Sequence, residues 1–399
     1  MTAGSRLAAA GPWLLAAGLA VTAVGAFGMG LWRAWACNGD GDMQLRVREY
    51  AAFRVGDYPN PPVDKPAAGR KAPFTIYPPY AFPMFAVFFE PGGLIQGRIV
   101  IELLTVAAVV LMGFYGRDRL KPFGPAWATV GALAGVGMAS NGTTLALGQF
   151  STMCAGLLVL QLMLLERGRA AAAGCAWAAA MIKPHIAVAS AVLFLVNRLT
   201  RGLVVGVAVL ALLSAAALWW TETSPAALAH HWLFQVKLRF ASGSPAFGPA
   251  HLAEGLGWDQ RLTQTAALGI LAIVAVAVVA CVRLPRREVA TLDLLPLAAI
   301  GAVLGRVLIY HRHYDNVMLF PLLIACLALA LAAPTAANVA TAVAVGLTLY
   351  IPQRVHEWVP FVQFILPAIW IVAALRVAVV AVAPPHRAKN ERDIRTVSA

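Results

Sequence analysis

The chain has 399 residues, of which 60% are hydrophobic and only 12% are charged, and its mean hydropathy is +0.74. This apolar content exceeds what a soluble core of this size buries, so the composition excludes a soluble protein and predicts an all-α polytopic membrane protein. The net charge of +13 lies in short basic clusters between apolar segments, which indicates membrane topology and argues against a nucleic-acid partner.

The first apolar segment, near residues 12–32, predicts a membrane helix. It follows Arg6, as the apolar part of a signal peptide follows a basic residue. Its length suits a full crossing, however, and no clear small-residue cleavage site precedes the polar sequence. We therefore expect an uncleaved signal anchor whose N-terminus is cytoplasmic.

The later apolar segments predict the remaining crossings. They lie near residues 95–115, 126–142, 150–165, 203–220, 263–282, 292–310, 315–333, 338–350 and 359–380. The basic clusters between them belong on the cytoplasmic face by the positive-inside rule. Only about 28 residues separate Arg169 from Arg198, too few for two full crossings at ~1.5 Å per residue. Two broken helices are expected there, with the break at Lys183 and Pro184.

These crossings add up to about twelve helices in a single transmembrane domain, residues 1–399. Both termini are then cytoplasmic, and residues 384–399 form a basic cytoplasmic tail. Loops 33–75 and 221–262 fall on the extracytoplasmic face. We expect a multi-pass protein of the cell (inner) membrane with its site on that outer face.

The loop after the first helix concentrates acidic residues. Its carboxylates are Asp40, Asp42, Glu49, Asp57 and Asp64. Asp42 is a candidate general base, although capping of a short helix through Tyr50 is the simpler interpretation, because Asp is a favoured N-cap residue. Asp57 lies among Gly, Asn and Pro residues and indicates a turn.

Two cations stand out within apolar sequence. Lys183 lies between apolar residues, and the following Pro184 breaks the helix. Because a buried ammonium is costly in hydrocarbon, we expect Lys183 and His185 to face a cavity or a partner. A lysine that snorkels to the interface is the alternative. The same two interpretations apply to Arg306, near the outer end of its helix.

Residues 310–315, Tyr-His-Arg-His-Tyr-Asp, join two apolar segments. Arg binds phosphate bidentately and His titrates near neutral pH, so a cationic and aromatic site for a phosphate or a sugar is expected. Two histidines and an aspartate could also suggest a metal site. The segment has no defined metal-ligand spacing, however, and the acidic loop is the only obvious source of further ligands, so no metal or other cofactor is expected. At another outer turn Gln149 adds an amide, for which an interhelical hydrogen bond is an equally good interpretation.

With these residues in view, the chain resembles glycosyltransferase family 87, the polyprenol-phosphate-mannose-dependent mannosyltransferases of the GT-C superfamily. The resemblance runs from about residue 10 to 330. It rests on six short motifs in family order: Asp42-Met43-Gln44-Leu45, Gly56 to Pro59, Tyr77-Pro78-Pro79, Asn141 with Gly148-Gln149, Ile182-Lys183-Pro184-His185, and His313-Tyr314.

The resemblance implies a GT-C-like fold and an inverting transferase. A hexose, with mannose expected, moves from a polyprenyl-phosphate donor to a lipid or glycan acceptor, and membrane lipids are further partners. Asp42 would deprotonate the acceptor hydroxyl, while Lys183 and Arg306 would bind the donor phosphate. The remaining expected substrate contacts are Asp40, Tyr77, Gln149, His185, His313 and Tyr314.

A membrane transporter or flippase for a lipid-linked or anionic substrate is the alternative function. Such proteins also contain broken helices and intramembrane cations. They usually have two related halves, however, and no internal repeat is visible in this sequence. A purely structural membrane subunit would not need two intramembrane cations and an acidic outer loop.

Overall fold

The computed structural model describes residues 3–37, 41–59, 77–196, 199–230, 293–309, 311–352 and 361–382, together with short pieces at 256–270 and 355–358. Some predicted features lie outside these residues in whole or in part. They are Asp40, residues 60–76 of the first loop, most of loop 221–262, the apolar segment 263–282 and the tail 384–399.

Within the described part of the chain the regular elements are helices. The α-helices are α1 (Ala3–Ala36), α2 (Gly41–Arg54), α3 (Ala81–Phe89), α4 (Gly93–Leu120), α5 (Pro125–Ala134), α6 (Ser140–Leu147), α7 (Ser151–Glu166), α8 (Ala170–Ala180), α9 (Pro184–Ala187), α10 (Val192–Val196), α11 (Thr200–Trp220), α12 (Leu294–Leu308), α13 (Phe320–Ala332), α14 (Ala336–Tyr350) and α15 (Val362–Val382). Short 3₁₀ segments cover Lys121–Phe123, Val188–Ala191 and His313–Leu319.

Among the described residues, four helices are long and apolar enough to cross a membrane, judged by length and composition. They are Ala10–Ala36, Gly93–Phe123, Thr200–Trp220 and His313–Ala332. Shorter apolar helices of 10–17 residues occupy most of the other predicted crossings. The expected all-helical architecture is therefore confirmed for the described residues, whereas the total of twelve crossings and the GT-C-like arrangement stay predictions.

The crossing expected at 126–142 is wrong as a single helix. Helix α5 ends at Ala134 and α6 begins at Ser140. The buried Asn141 donates from Nδ2 to the carbonyl oxygens of Gly135 and Val136, at 2.9 and 3.0 Å. The break leaves these carbonyl oxygens without a helical hydrogen bond, and the asparagine supplies the donor. Hydrocarbon has no donor to offer them.

The helix break expected at Lys183 and Pro184 is confirmed. Helix α8 ends at Ala180, and Pro184 is the first residue of the four-residue helix α9. Lys183 leaves the helical region, with φ −120° and ψ 82°, as the residue before a proline tends to do. Its side chain turns into the protein, where it is only 3% exposed.

The segments that carry the polar motifs meet in one part of the bundle. The 3₁₀ segment His313–Leu319 packs against α6, α7 and α12, and α9 packs against α7, α8 and α12. Glycines permit close packing nearby: a Cβ on Gly131 of α5 would lie 2.2 Å from the carbonyl oxygen of Gly116 in α4. Small residues of this kind let membrane helices approach backbone to backbone.

Candidate functional site

A buried ion pair joins the broken helix to the 3₁₀ segment. Lys183 Nζ donates to Asp315 Oδ1 at 2.9 Å and to Ser151 Oγ at 2.7 Å. The Ser151 hydroxyl donates to the same Oδ1 at 2.8 Å, and the Lys183 ammonium lies 4.6 Å from the centre of the Tyr314 ring. The sequence predicts a cavity or a partner for Lys183, and Asp315 is that partner. Binding of a phosphate by Lys183 stays a prediction.

The other oxygen of Asp315 faces two histidines. His185 Nε2 and His311 Nδ1 each lie 3.5 Å from Asp315 Oδ2, and the two ring centroids are 5.0 Å apart. The backbone N–H of Arg312 donates to Oδ2 at 3.0 Å. His185 remains partly exposed, whereas His311 and Asp315 are buried. Residues from α9 and from the 310–315 segment therefore form one polar cluster.

The two ring nitrogens of His311 face different partners, a backbone carbonyl and the Asp315 carboxylate. Burial lowers the pKa of His311 from 6.5 to about 3, although the neighbouring Asp315 acts in the opposite direction. His311 Nε2 lies 3.1 Å from the carbonyl oxygen of Gly305. A carbonyl oxygen accepts but cannot donate, so the ring proton is assigned to Nε2. The Nδ1 atom then presents a lone pair to Asp315.

Arg306 is also fully buried, and the Asp315 charge acts on it. Its side chain is 1% exposed, donates from Nε to Asn316 Oδ1 at 2.8 Å, and stacks 5.1 Å from the Trp370 ring centre. These contacts exclude snorkelling, because the guanidinium points into the protein. The predicted contact between Arg306 and a donor phosphate remains untested.

Asp42 lies in a second polar group, at the start of α2. The helix begins at Gly41, so Asp42 occupies its first turn and is not the residue before the helix. Asp42 Oδ2 accepts a hydrogen bond of 2.6 Å from Gln149 Nε2. The sequence predicts Asp42 and Gln149 as site residues. They are 107 positions apart in the chain, and the structure brings them into contact.

The turn that holds Gln149 depends on a glycine. Gly148 has φ +62°, a conformation that disfavours other residues, and a Cβ there would lie 2.2 Å from the end of the Met43 side chain. The positive φ favours glycine at this position, and a larger residue would also require the Met43 side chain to move. Gly148 therefore permits the contact between Gln149 and Asp42.

Aromatic residues border both polar groups. Tyr77 lies under the guanidinium of Arg46, 4.5 Å from ring centre to Cζ. Tyr314 is close enough to Asp42 and to Asp315 for both charges to act on its hydroxyl. His313 and Tyr314 also line a small cavity with Asn316. Tyr314 thus belongs to the Lys183 cluster, at 4.6 Å from the Lys183 ammonium, and is also within reach of the Asp42 charge.

Three residues of this cluster, Ser151, His311 and Asp315, were not among the predicted site residues. Ser151 and Asp315 complete the hydrogen bonds of Lys183. Asp315 could have been found, because it ends the polar 310–315 segment between two apolar helices. Ser151 had only a weak signal, its position two residues after Gln149. Asp40, another predicted site residue, lies outside the described part of the chain.

The chain matches a known protein family. The sequence profile of glycosyltransferase family 87 matches residues 74–310, more than half of the chain. The matched region includes Tyr77, Gln149, Lys183, His185 and Arg306, and it ends before the rest of the 310–315 segment. No curated protein and no solved structure matches the chain.

Proposed function

Because the chain belongs to glycosyltransferase family 87, and is therefore a membrane glycosyltransferase, we propose that it transfers a hexose, namely mannose, from a polyprenyl-phosphate donor. The acceptor is a lipid or a glycan, and the reaction inverts the anomeric carbon. The acceptor oxygen forms a bond to that carbon while the bond to the phosphate oxygen breaks. The bonding electrons leave with the phosphate, and the proton of the acceptor hydroxyl passes to a protein base.

Asp42 is the proposed base. The observation that carries the proposal is the partly exposed Asp42 carboxylate, held by Gln149 next to a tyrosine that also adjoins the buried cation cluster. Gln149 binds Oδ2, and within the described residues Oδ1 makes no hydrogen bond to a side chain. A carboxylate oriented through one oxygen can take a proton with the other.

Lys183 is the proposed partner of the donor phosphate. Contacts with Ser151 and Asp315 hold its ammonium in one orientation, and a preorganised donor stabilises a developing negative charge without reorganisation. Arg306 supports the same charge from a buried position, where the low dielectric strengthens its field. Since the leaving group is a phosphate that cations stabilise, this step requires no metal ion.

An open apolar groove offers a place for a lipid chain. It is lined by Tyr50, Phe53, Pro83, Trp219 and Trp220 among others. Trp219 is 80% exposed. Tyr50 lies eight residues after Asp42 on α2, about 12 Å along the helix. We assign the groove to the acyl or prenyl part of a substrate whose polar end reaches Asp42.

Transfer with purified protein tests the proposal. The protein is reconstituted in lipid and given labelled polyprenyl-phosphate mannose with an acceptor lipid extract; labelled polyprenyl-phosphate glucose is the matched control. We expect label in a new lipid or glycan product from the mannose donor. A product formed with the glucose donor but not with the mannose donor would overturn the choice of mannose. If neither donor gives a product, nor any other polyprenyl-phosphate sugar, the proposed donor class is wrong.

A further inference from the structure

The two histidines that face Asp315 have an arrangement that phosphate binding by Lys183 does not explain. His311 Nδ1 is 3.5 Å from Asp315 Oδ2, beyond the usual hydrogen-bond length, and makes no hydrogen bond within the described residues. With the ring proton on the Gly305 side, a nitrogen lone pair and a carboxylate oxygen face each other. Two acceptors at this distance repel unless a proton or a metal ion lies between them.

A third ligand atom completes the group. His185 Nε2 is also 3.5 Å from Asp315 Oδ2, and the ligand atoms of the three residues all lie within 4.8 Å of one another. Ligand atoms around a tetrahedral zinc ion are about 3.3–3.6 Å apart, given its bond lengths of about 2.0–2.2 Å. Both separations from Asp315 fit this value, and the partly exposed His185 ring is the ligand with room to adjust.

The hydrogen bond from His311 Nε2 to the Gly305 carbonyl also matches a metal ligand. Histidines that bind metals usually donate their second ring N–H to a carboxylate or a backbone carbonyl, which holds the ring and its tautomer. Lys183 does not obstruct the position, because its ammonium contacts the opposite oxygen, Asp315 Oδ1. That oxygen also accepts from Ser151.

We propose that His185, His311 and Asp315 form a binding site for one first-row transition metal ion, with zinc as the best fit. Two imidazoles and one carboxylate suit zinc, whereas magnesium and calcium prefer oxygen ligands. Three protein ligands leave a fourth position for water or an anion, on the side where His185 is exposed. The site does not depend on the proposed sugar transfer, which needs no metal.

Metal binding by the purified full chain tests the site without an activity assay. The detergent-solubilised protein is stripped with a chelator and titrated with Zn²⁺ against a chromophoric competitor, and bound Co²⁺ is followed by its visible absorption. We expect one metal ion per chain and a tetrahedral Co²⁺ spectrum. We also expect the thermal unfolding midpoint to rise with metal concentration, since only the folded chain presents the site.

The variants are His185→Gln and His311→Gln, with His230→Gln as the matched control, because His230 is an exposed histidine outside the cluster. Loss of a group that only hydrogen-bonds to a metal ligand weakens metal binding roughly 10–100-fold. Loss of a ligand itself should weaken zinc binding by at least this much. His185→Gln decides the question if His311→Gln does not fold. The proposal is wrong if less than one zinc ion binds per chain, or if His185→Gln binds zinc as tightly as the parent. His311 and Asp315 would then be a proton-bridged pair, with His185 as a neighbour.

Discussion

At the scale of single residues, the Lys183–Asp315 pair has two separable roles. Both side chains are nearly inaccessible, so in the metal-free protein removal of either one leaves the other charge buried without its ion-pair partner. Such losses cost about 3–5 kcal/mol, whereas removal of both charges together is often neutral. A loss of activity in a single variant is therefore ambiguous, and the double variant separates folding from chemistry.

We expect Lys183→Met to lower both the thermal stability and the transfer rate. Combination with Asp315→Asn should restore most of the stability, because no unpaired charge remains. It should not restore transfer, since the lost phosphate contact is worth about 2–4 kcal/mol of transition-state stabilisation. Thermal unfolding and initial rates are measured for the three proteins. If the double variant regains transfer, Lys183 does not bind the phosphate.

Asp42→Asn tests the general base. The amide keeps the size of the side chain, and its oxygen can still accept the hydrogen bond from Gln149, but it cannot take a proton. We expect transfer to fall roughly 10²–10⁴-fold, the usual contribution of positioned proton transfer, with unchanged thermal stability. Asp57→Asn, at an exposed turn residue, is the matched control and should retain activity.

Asp40→Asn completes this series. If it is the inactive variant and Asp42→Asn is active, the base lies two residues earlier and the mechanism is kept. If all three variants transfer sugar normally, none of Asp40, Asp42 and Asp57 is the base.

At the scale of helices, close packing depends on glycine more than on apolar bulk. The backbones of α4 and α5 approach at Gly116 and Gly131, and those of α8 and α11 at Gly174 and Gly202, where a Cβ on Gly174 would lie 2.1 Å from the Gly202 carbonyl oxygen. These contacts hold the helices that flank the site. The atoms in the way are backbone atoms, which cannot move aside as a flexible side chain can.

Gly131→Ala should therefore destabilise the protein by about 1–3 kcal/mol, as overpacking does. Gly25→Ala in α1 should have the opposite sign, because nothing lies within 4 Å of its added Cβ and alanine favours a helix by up to about 1 kcal/mol. The unfolding midpoints of both variants are compared with that of the parent in one detergent. Equal effects of the two substitutions would contradict the packing of α4 on α5.

At the scale of the whole molecule, the side of the membrane that the site faces is still a prediction. The positive-inside rule puts the basic turns at Arg117 and Arg167 in the cytoplasm and the turn at Asp57 outside. The three residues are exposed in the structure. They can therefore report on topology through introduced cysteines.

Cys37 and Cys175 are exposed native cysteines, so both are first replaced by alanine. An impermeant thiol reagent should then label Asp57→Cys in intact cells, and label Arg117→Cys and Arg167→Cys only after the membrane is opened. If Asp57→Cys is labelled only after the membrane is opened, the topology is the reverse of the one proposed. Label on Arg117→Cys and Asp57→Cys from the same side would instead change the number of crossings between them.

The sequence by itself determined the membrane class, most helix positions and the break at Pro184. Each depends on local properties: apolar length, charge spacing, and a proline that lacks an N–H. The family resemblance was also available from short motifs, and the profile match over residues 74–310 confirms it. The split between α5 and α6 was missed because an apolar run of helical length also suits two shorter helices.

Only the tertiary structure decided which polar residues contact one another. Asp42 and Gln149 are 107 residues apart, and Lys183 and Asp315 are 132 apart, so no local pattern links them. Lys183 in isolation suits either a cavity or a partner, since burial of an ammonium demands only some compensation. The choice of Asp315, and the position of two histidines at its second oxygen, follow from the packing of α9 against α7 and α12. That packing depends on contacts along several helices at once, which short sequence motifs do not record.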